Sequence, residues 1–466
     1  MPSLTGVRQM NRSTVVKGGT VATAETTFSG DVLIVDGKIA AIGKNLPETS
    51  GMQVIDANGC MVLPGIIDAH THIQLDTGVY QTPDDWFVET AAAACGGVTT
   101  VIDYATQFHG QTLSEAVANR LDEAKSAIID FGLHCMVTDL PPGRESELEE
   151  LIDLGVPSIK LYTTYRPNYY ADDAVLVRLM KTASKFSMLT TVHCENDALV
   201  SAAQQELISA NDIGLANHAR SRPPLSEVEA VNRVLVLAKA VDAPVYIVHC
   251  SLAASVELVA QAWAQGQIAF AETCPHYLLL DDSVYSGDEP YRYILQPPLR
   301  PVENNEALWE LVAAGAVDVV ATDSCDYTLE QKTAKPDFTS TPGGLPGTET
   351  LLPLMATYGV VEGRLDWPEL VHMLSTNPAR LFGLYPTKGA LLPGADADVT
   401  IYDPGVSSTL TADDLHGVAS YTPYEGFPVL GRVKTTLSRG EIVFHDGEIM
   451  ASPGRGRFIA GRPLSF

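Results

Sequence analysis

Residues 158–165 read SIKLYTTY, a run of apolar, β-branched and aromatic residues set between Pro157 and Pro167. Rich in β-branched and aromatic residues and flanked by prolines, the run is expected to be a strand. Its apolar residues do not alternate cleanly with polar ones. That texture belongs to a strand buried on both faces, as in a parallel sheet covered by helices. One lysine, Lys160, stands in the middle of it. An unpaired ammonium in such a place costs several kcal/mol or gives up its proton.

The same texture recurs on both sides. GIIDAHTHI (65–73), VTTVIDYA (98–105), GLHCMVTDL (132–140), MLTTVHCEN (188–196), PVYIVHCS (244–251), QIAFAETCP (267–275) and VDVVATDSC (317–325) bring the number of such runs to eight. Helical patterns such as DDWFVETAAAACGG and SEVEAVNRVLVLAKAVD separate them. Eight strands alternating with helices predict an α/β fold, a (β/α)8 TIM-like barrel over residues 64–388, with a doubly wound open sheet as the runner-up. Residues 1–63 carry short β-type runs, VVKGGTVAT, DVLIVDGKIAAIG with an Asp36-Gly37 hairpin signal, and GMQVIDANGCMVLPG, which look antiparallel. The β texture returns over residues 389–466, so the two chain ends are expected to build one small β-sandwich domain together.

Composition narrows the function classes. The 466 residues include 30 basic and 57 acidic side chains, a formal charge of −27 that repels phosphate backbones. Nucleic acid is therefore not an expected partner. The opening MPSLTGVRQMNRST lacks the apolar core of a signal peptide, and no apolar run approaches the roughly 20 residues of a membrane span. No membrane association and a cytoplasmic location are expected. The seven cysteines are scattered singly with no CxxC pair, and read as small buried hydrophobes in a reducing compartment.

The chemistry gathers at the ends of the strands. Alternation in DAHTHI points His70 and His72 to one side, as two ligands of one metal require. VHCEN and VHCS end two further strands with His193 and His249, and ATDSC ends the last with Asp323. Barrel strands deliver their C-terminal residues to one mouth, so four histidines and an aspartate should converge there. Imidazole and carboxylate together suit zinc or a similar first-row divalent cation, and five protein ligands fit two such ions better than one. Lys160 falls among them. Beside two dications its neutral amine is favoured, and a neutral amine takes up carbon dioxide to become an anionic carbamate with one oxygen for each metal. The plainer alternative is a lysine that reaches solvent or pairs with Glu195.

Together with AETCPHYLLLDDSVY, PPLRP, PGGLPGTET and LFGLYPTKGALLPGADADVTIYDP, these motifs resemble, in order and over nearly the whole chain, the dihydropyrimidinase and hydantoinase branch of the cyclic amidohydrolases. The resemblance implies that His70, His72 and Asp323 hold one zinc, that His193 and His249 hold the other, and that carboxylated Lys160 bridges both. It implies attack of a metal-bridging hydroxide on a ring amide carbonyl, with Asp323 moving the proton to the ring nitrogen and Tyr165 donating to the oxyanion. The product is an N-carbamoyl amino acid. Backbone groups at Gln296 and Gly343 would hold the substrate amides, although relatives commonly carry Ser and Asn there. Asp76, Tyr162 and Tyr169 match the positions that gate the exocyclic substituent, and make that pocket more polar than usual. Ser324 stands where many relatives have His. The family habit is a homo-oligomer, a tetramer or a dimer.

Dihydroorotase is disfavoured, since the arginine it uses is Gln74 here. An allantoinase or a cyclic-imide hydrolase would use the same machinery. A different class, a non-catalytic dihydropyrimidinase-like assembly protein, is disfavoured because all six ligand candidates are present. His276, near the end of the seventh strand, could line the pocket but reads first as a loop or supporting residue, and His109, His134, His218, His372, His416 and His445 read as structural.

Overall fold

The computed structural model describes residues 13–465; residues 1–12, in which no leader is expected, lie outside them. The chain begins with β1 (Ser13–Ala22), β2 (Thr27–Val35) and β3 (Lys38–Gly43), antiparallel neighbours in that order. The Asp36-Gly37 turn between the last two has φ of 49° and 78°. A two-residue hairpin that follows the strand twist needs both residues left-handed, which is why Asp-Gly signals it. β4 (Gln53–Asp56) and β5 (Met61–Pro64) then pair with β1, but parallel to it rather than antiparallel. One strand serves both because it bulges at Gly18-Gly19 instead of ending there. Thr14 to Lys17 pair with β4, and Thr20 and Val21 pair with β5. Gly18 supplies the bend with φ of 75°, and its amide donates to Asp31 Oδ1 at 2.9 Å.

Next come the barrel strands, β6 (Ile66–Thr71), β7 (Val98–Thr106), β8 (Asp130–Met136), β9 (Ser158–Tyr162), β10 (Leu189–His193), β11 (Val245–Ile247), β12 (Ala269–Thr273) and β13 (Val319–Val320). They stand in chain order in one all-parallel sheet. The ends meet: Thr71 bridges Ser324 in parallel, and the His72 amide donates to the Ser324 carbonyl at 2.8 Å. A barrel is therefore closed at its C-terminal rim, and the open-sheet alternative is set aside.

The unalternating texture has a physical reason. Outward residues such as Val101, Ile159, Leu161, Val192 and Ile247 pack into a large apolar cluster with the helices. Inward residues near the strand starts, among them Ile67, Leu189, Tyr246, Phe270 and Val319, form a second cluster closed by Phe382, Leu384 and Leu464. Polar inward residues such as His70, Lys160 and His193 gather near the strand ends. Helices cover the barrel where the pattern expects them, with Trp86–Cys95 capped by the Asp85 side chain and Leu113–Glu123 opened by a Thr112/Glu115 capping box.

β14 (Val399–Thr409), β15 (Pro428–Ser438), β16 (Glu441–His445) and β17 (Glu448–Ile449) complete the first sheet, in the order β17-β16-β15-β14-β5-β1-β2-β3. β14 lies antiparallel on β5, with Val399 opposite Pro64. Both chain ends thus build one sheet around a single cluster that includes Val16, Val32, Ile39, Val62, Val399 and Leu437. An ionic joint ties this sheet to the barrel. The fully buried Lys388 ammonium lies 2.5 Å from Asp130 at the start of β8, 2.8 Å from Asp398 and 3.1 Å from Asp396, and Arg439 also pairs with Asp130. All seven cysteines are buried and free.

Candidate active site

A cavity of about 480 Å³ opens at the C-terminal ends of the barrel strands, and His70, His72, Lys160, His193, His249 and Asp323 all stand on its wall. β6 slips in register against β7 on either side of Ile67 and Asp68, yet its two histidines still converge. His70 Nε2 and His72 Nε2 each lie 3.1 Å from Asp323 Oδ1. The rim bond between His72 and Ser324 brings this group together, because it joins the strands at opposite ends of the sheet order. The second group is His193 Nδ1 and His249 Nε2, 3.0 Å apart. The His70 and His249 rings, with centroids 5.5 Å apart, link the two groups.

Each group is oriented from behind. Glu272 Oε1 lies 2.7 Å from His70 Nδ1 and accepts the His249 amide at 2.9 Å, while its Oε2 accepts the Tyr246 hydroxyl at 2.7 Å. Glu195 Oε2 lies 2.8 Å from His193 Nε2, and Arg222 Nε donates to Glu195 Oε1 at 2.9 Å. A carboxylate that takes one imidazole nitrogen fixes the ring and leaves the other nitrogen for a metal. His70 Nε2 is accordingly buried facing Asp323 Oδ1 at 3.1 Å, without the geometry of a hydrogen bond.

The electrostatics follow from burial and these neighbours. Burial pushes His193 and His249 down, so both are neutral imidazoles. Burial also opposes the charge on His70, but Glu272 and Asp323 override it and raise the group to about 9. For Asp323, burial works upward and is overcome by His70, His72 and His249, which hold it well below the usual carboxylate range. Lys160 is 1% exposed, and burial lowers it to about 8 against the weaker pull of Asp323 and Glu272. Its Nζ has no hydrogen bond or ion pair among the described residues, and lies 5.0 Å and 5.3 Å from the Tyr104 and Tyr162 ring centres. Pairing with Glu195 is ruled out, since His193 and Arg222 occupy that carboxylate. Four imidazoles, a carboxylate and an amine with no ion pair fit a pair of first-row divalent cations.

Three cavity residues carry left-handed backbone, Tyr165 at φ 73°, His249 at φ 38° and Asp323 at φ 51°. Such conformations cost on the order of 1–3 kcal/mol each outside glycine, and gather where the surroundings impose a function. The Tyr165 ring lies 5.1 Å from that of His193, and burial raises its phenol, which keeps the proton needed to donate. Gln296, Gly343, Tyr162 and Tyr169 line the same cavity. At the remaining gate position it is Leu75 and Thr77 that line the wall, whereas Asp76 turns its carboxylate to the Gly78 amide at 2.7 Å.

Other positions differ from the sequence expectation. His276, read as a loop or supporting residue, lines the cavity with its Nε2 buried and unpartnered, and burial lowers it to about 4. Glu272 and the role of Glu195 escape the sequence reading, although a carboxylate inside AFAET is the same anomaly as the lysine in SIKLY. Ser324 is directed away from the mouth, its hydroxyl donating to Asp326 Oδ1 at 3.0 Å. Behind it Asp84, Glu89 and Asp326 form a buried acidic group. Burial raises all three, helped by Asp103 at Asp84, by Asp84 at Asp326 and by both Asp326 and Asp84 at Glu89, so that Asp84 lies at about 6, Asp326 at about 7, and Glu89 well above its usual value.

Comparison with known proteins points one way. A family model described as the amidohydrolase family matches residues 61–443. A D-phenylhydantoinase of Escherichia coli is 40% identical over 455 residues, covering 97% of this chain and 98% of that protein. A solved dihydropyrimidinase from Brevibacillus agri superposes with a TM-score of 0.95 at 34% identity, over 97% of this chain and 100% of that one. An L-hydantoinase (dihydropyrimidinase) from Arthrobacter aurescens does so with a TM-score of 0.89 at 30% identity, over 97% and 100%.

Proposed function

The chain belongs to the amidohydrolase family, in its hydantoinase and dihydropyrimidinase branch, and from that premise we propose that it opens a cyclic amide or ureide by hydrolysis. The substrate is a dihydropyrimidine or a 5-substituted hydantoin, and the product an N-carbamoyl amino acid. One observation carries the reading: the six groups able to hold two cations stand on the wall of a single cavity large enough for such a ring.

In this reading His70, His72 and Asp323 would hold one divalent cation, His193 and His249 the other, and Lys160, carboxylated by carbon dioxide, would supply the anionic oxygens that the pair still needs. Zinc suits this donor set. When bound, the two cations supply Lewis acidity, which polarises the ring carbonyl and acidifies a water molecule near neutral pH. The chain supplies the rest. Asp323 is the base that takes the proton of the attacking water and hands it to the departing ring nitrogen. Tyr165 donates its phenolic proton to the oxygen that becomes negative at the tetrahedral carbon. Glu272 and Glu195 fix the rings of His70 and His193. Tyr162 and Tyr169 face the exocyclic substituent with hydroxyl-bearing rings, so small or polar substituents are favoured over an unadorned phenyl. Residues 64–388 form the hydrolase unit, with 1–63 and 389–466 as its accessory β domain. The working protein is a cytoplasmic dimer or tetramer, a reading supported by family habit.

The test is a ring-opening panel on metal-replete protein: dihydrouracil, hydantoin, 5-substituted hydantoins, allantoin and cyclic imides. Turnover of the dihydropyrimidine or hydantoins with about two metals bound per chain is expected. A preparation that binds metal and opens none of them would overturn the assignment.

A further inference from the structure

Gln296 and Gly343 meet on the cavity wall. Gly343 does not have left-handed backbone, so it is not glycine for the sake of its φ. It is glycine for space: a β-carbon built there would stand 1.9 Å from Gln296 Oε1 and 2.5 Å from Cδ and Nε2. The glutamine carboxamide occupies the volume that any side chain at position 343 requires. The two backbones are held together beside it, since the Gly344 amide donates to the Ile294 carbonyl at 3.0 Å. The carboxamide itself makes no hydrogen bond with any described residue, and both residues line the cavity. An amide with two donors and an acceptor is thus presented unpaired to whatever enters.

A five- or six-membered ring holds its amides cis, so each ring N–H lies beside a C=O on one edge, the complement of a carboxamide. In the proposed reaction the attacked carbonyl and the departing nitrogen face the histidines and Asp323. The edge left over in a ureide is its second N–H with the urea carbonyl. In the isosteric imide a methylene replaces that N–H. We infer that the Gln296 carboxamide, seated against Gly343, reads this remote ureide edge through two hydrogen bonds and so selects ureides over imides. The inference rests on the ring-opening reaction proposed above.

The experiment compares kcat/KM on dihydrouracil and glutarimide, and on hydantoin and succinimide, pairs that differ only at the N–H in question. Intrinsic ring reactivity cancels when variants are compared as ratios. Gln296→Met keeps the length and removes the hydrogen bonds, and the ureide-to-imide ratio is expected to fall about tenfold. Gly343→Ala should lower the ratio in the same direction, because its methyl evicts the flexible carboxamide without disturbing the fold. The double variant should be no worse than Gln296→Met alone. Metal content and melting temperature should be those of the wild type in all three. An unmoved ratio, or losses that simply add in the double variant, overturns the inference while leaving the ring-opening reaction standing. Failure of the wild type to open any ring of the full panel removes the reaction and this inference with it; turnover of 5-substituted hydantoins with an unmoved ratio overturns the inference alone.

Discussion

Lys160 shows how a single residue can announce a site. A buried amine with no ion pair is unstable as a cation, and burial already lowers it to about 8 before any metal is considered. Lys160→Ala is expected to lose bound metal and activity together, measured by metal analysis and turnover, and a short-chain carboxylic acid should restore part of both by supplying the missing oxygens. Full activity in that variant would refute the bridging role. Tyr165→Phe should retain metal and lower kcat by about 10²–10³ with little change in KM, as removal of one oxyanion donor does. At this scale much was readable beforehand, because a histidine, lysine or aspartate inside an apolar strand is conspicuous. The supporting carboxylates were harder to see. Glu272 acts through a ring on a distant strand, Glu195 turns back onto His193 of its own motif under the hold of Arg222, and Asp76 sits in a loop whose turn, not its alignment, decides where the carboxylate points.

Among the elements, texture alone located the eight barrel strands, since both of their faces are apolar over most of their length. Pairing was less accessible. β1 pairs with both β4 and β5 because a two-glycine bulge divides it without ending it, and β13 shortens to Val319–Val320 because its continuation bends at Asp323. Lys388 was equally hidden, as its three aspartates lie on β8 and in the approach to β14. The joint they form makes a clear prediction. Lys388→Met takes away the cation of the buried Asp398 and leaves Asp130 to Arg439 and Asp396 to Lys38 alone, and should destabilise the protein by about 3–5 kcal/mol in denaturant unfolding. Once folded and metal-loaded, the variant should turn over at the wild-type rate, because the joint lies at the strand starts and the cavity at the strand ends.

For the molecule as a whole, the buried acids behind the rim set a pH dependence. Burial and Asp84 raise Asp326 to about 7 from its ordinary 3.8, so between those values the folded chain keeps a proton that the unfolded chain releases. Stability from this group therefore falls as pH rises through that window. Asp326→Asn should melt higher than the wild type at pH 8, with the advantage shrinking at pH 6; a constant difference would count against it. Chelation should lower the melting temperature of the wild type, since metal bound only by the folded state stabilises it by mass action. The closed rim and the shared sheet also bear on how the protein is made. His72 and Asp323 meet only where the first barrel strand joins the segment after the last, and β5 finds β14 only when Val399 has been synthesised. A chain still emerging from the ribosome has no such site. On the proposed reaction, metal and carbon dioxide would then be taken up only after translation is nearly complete, and scarcity of either in the cell would yield a folded but immature pool awaiting activation.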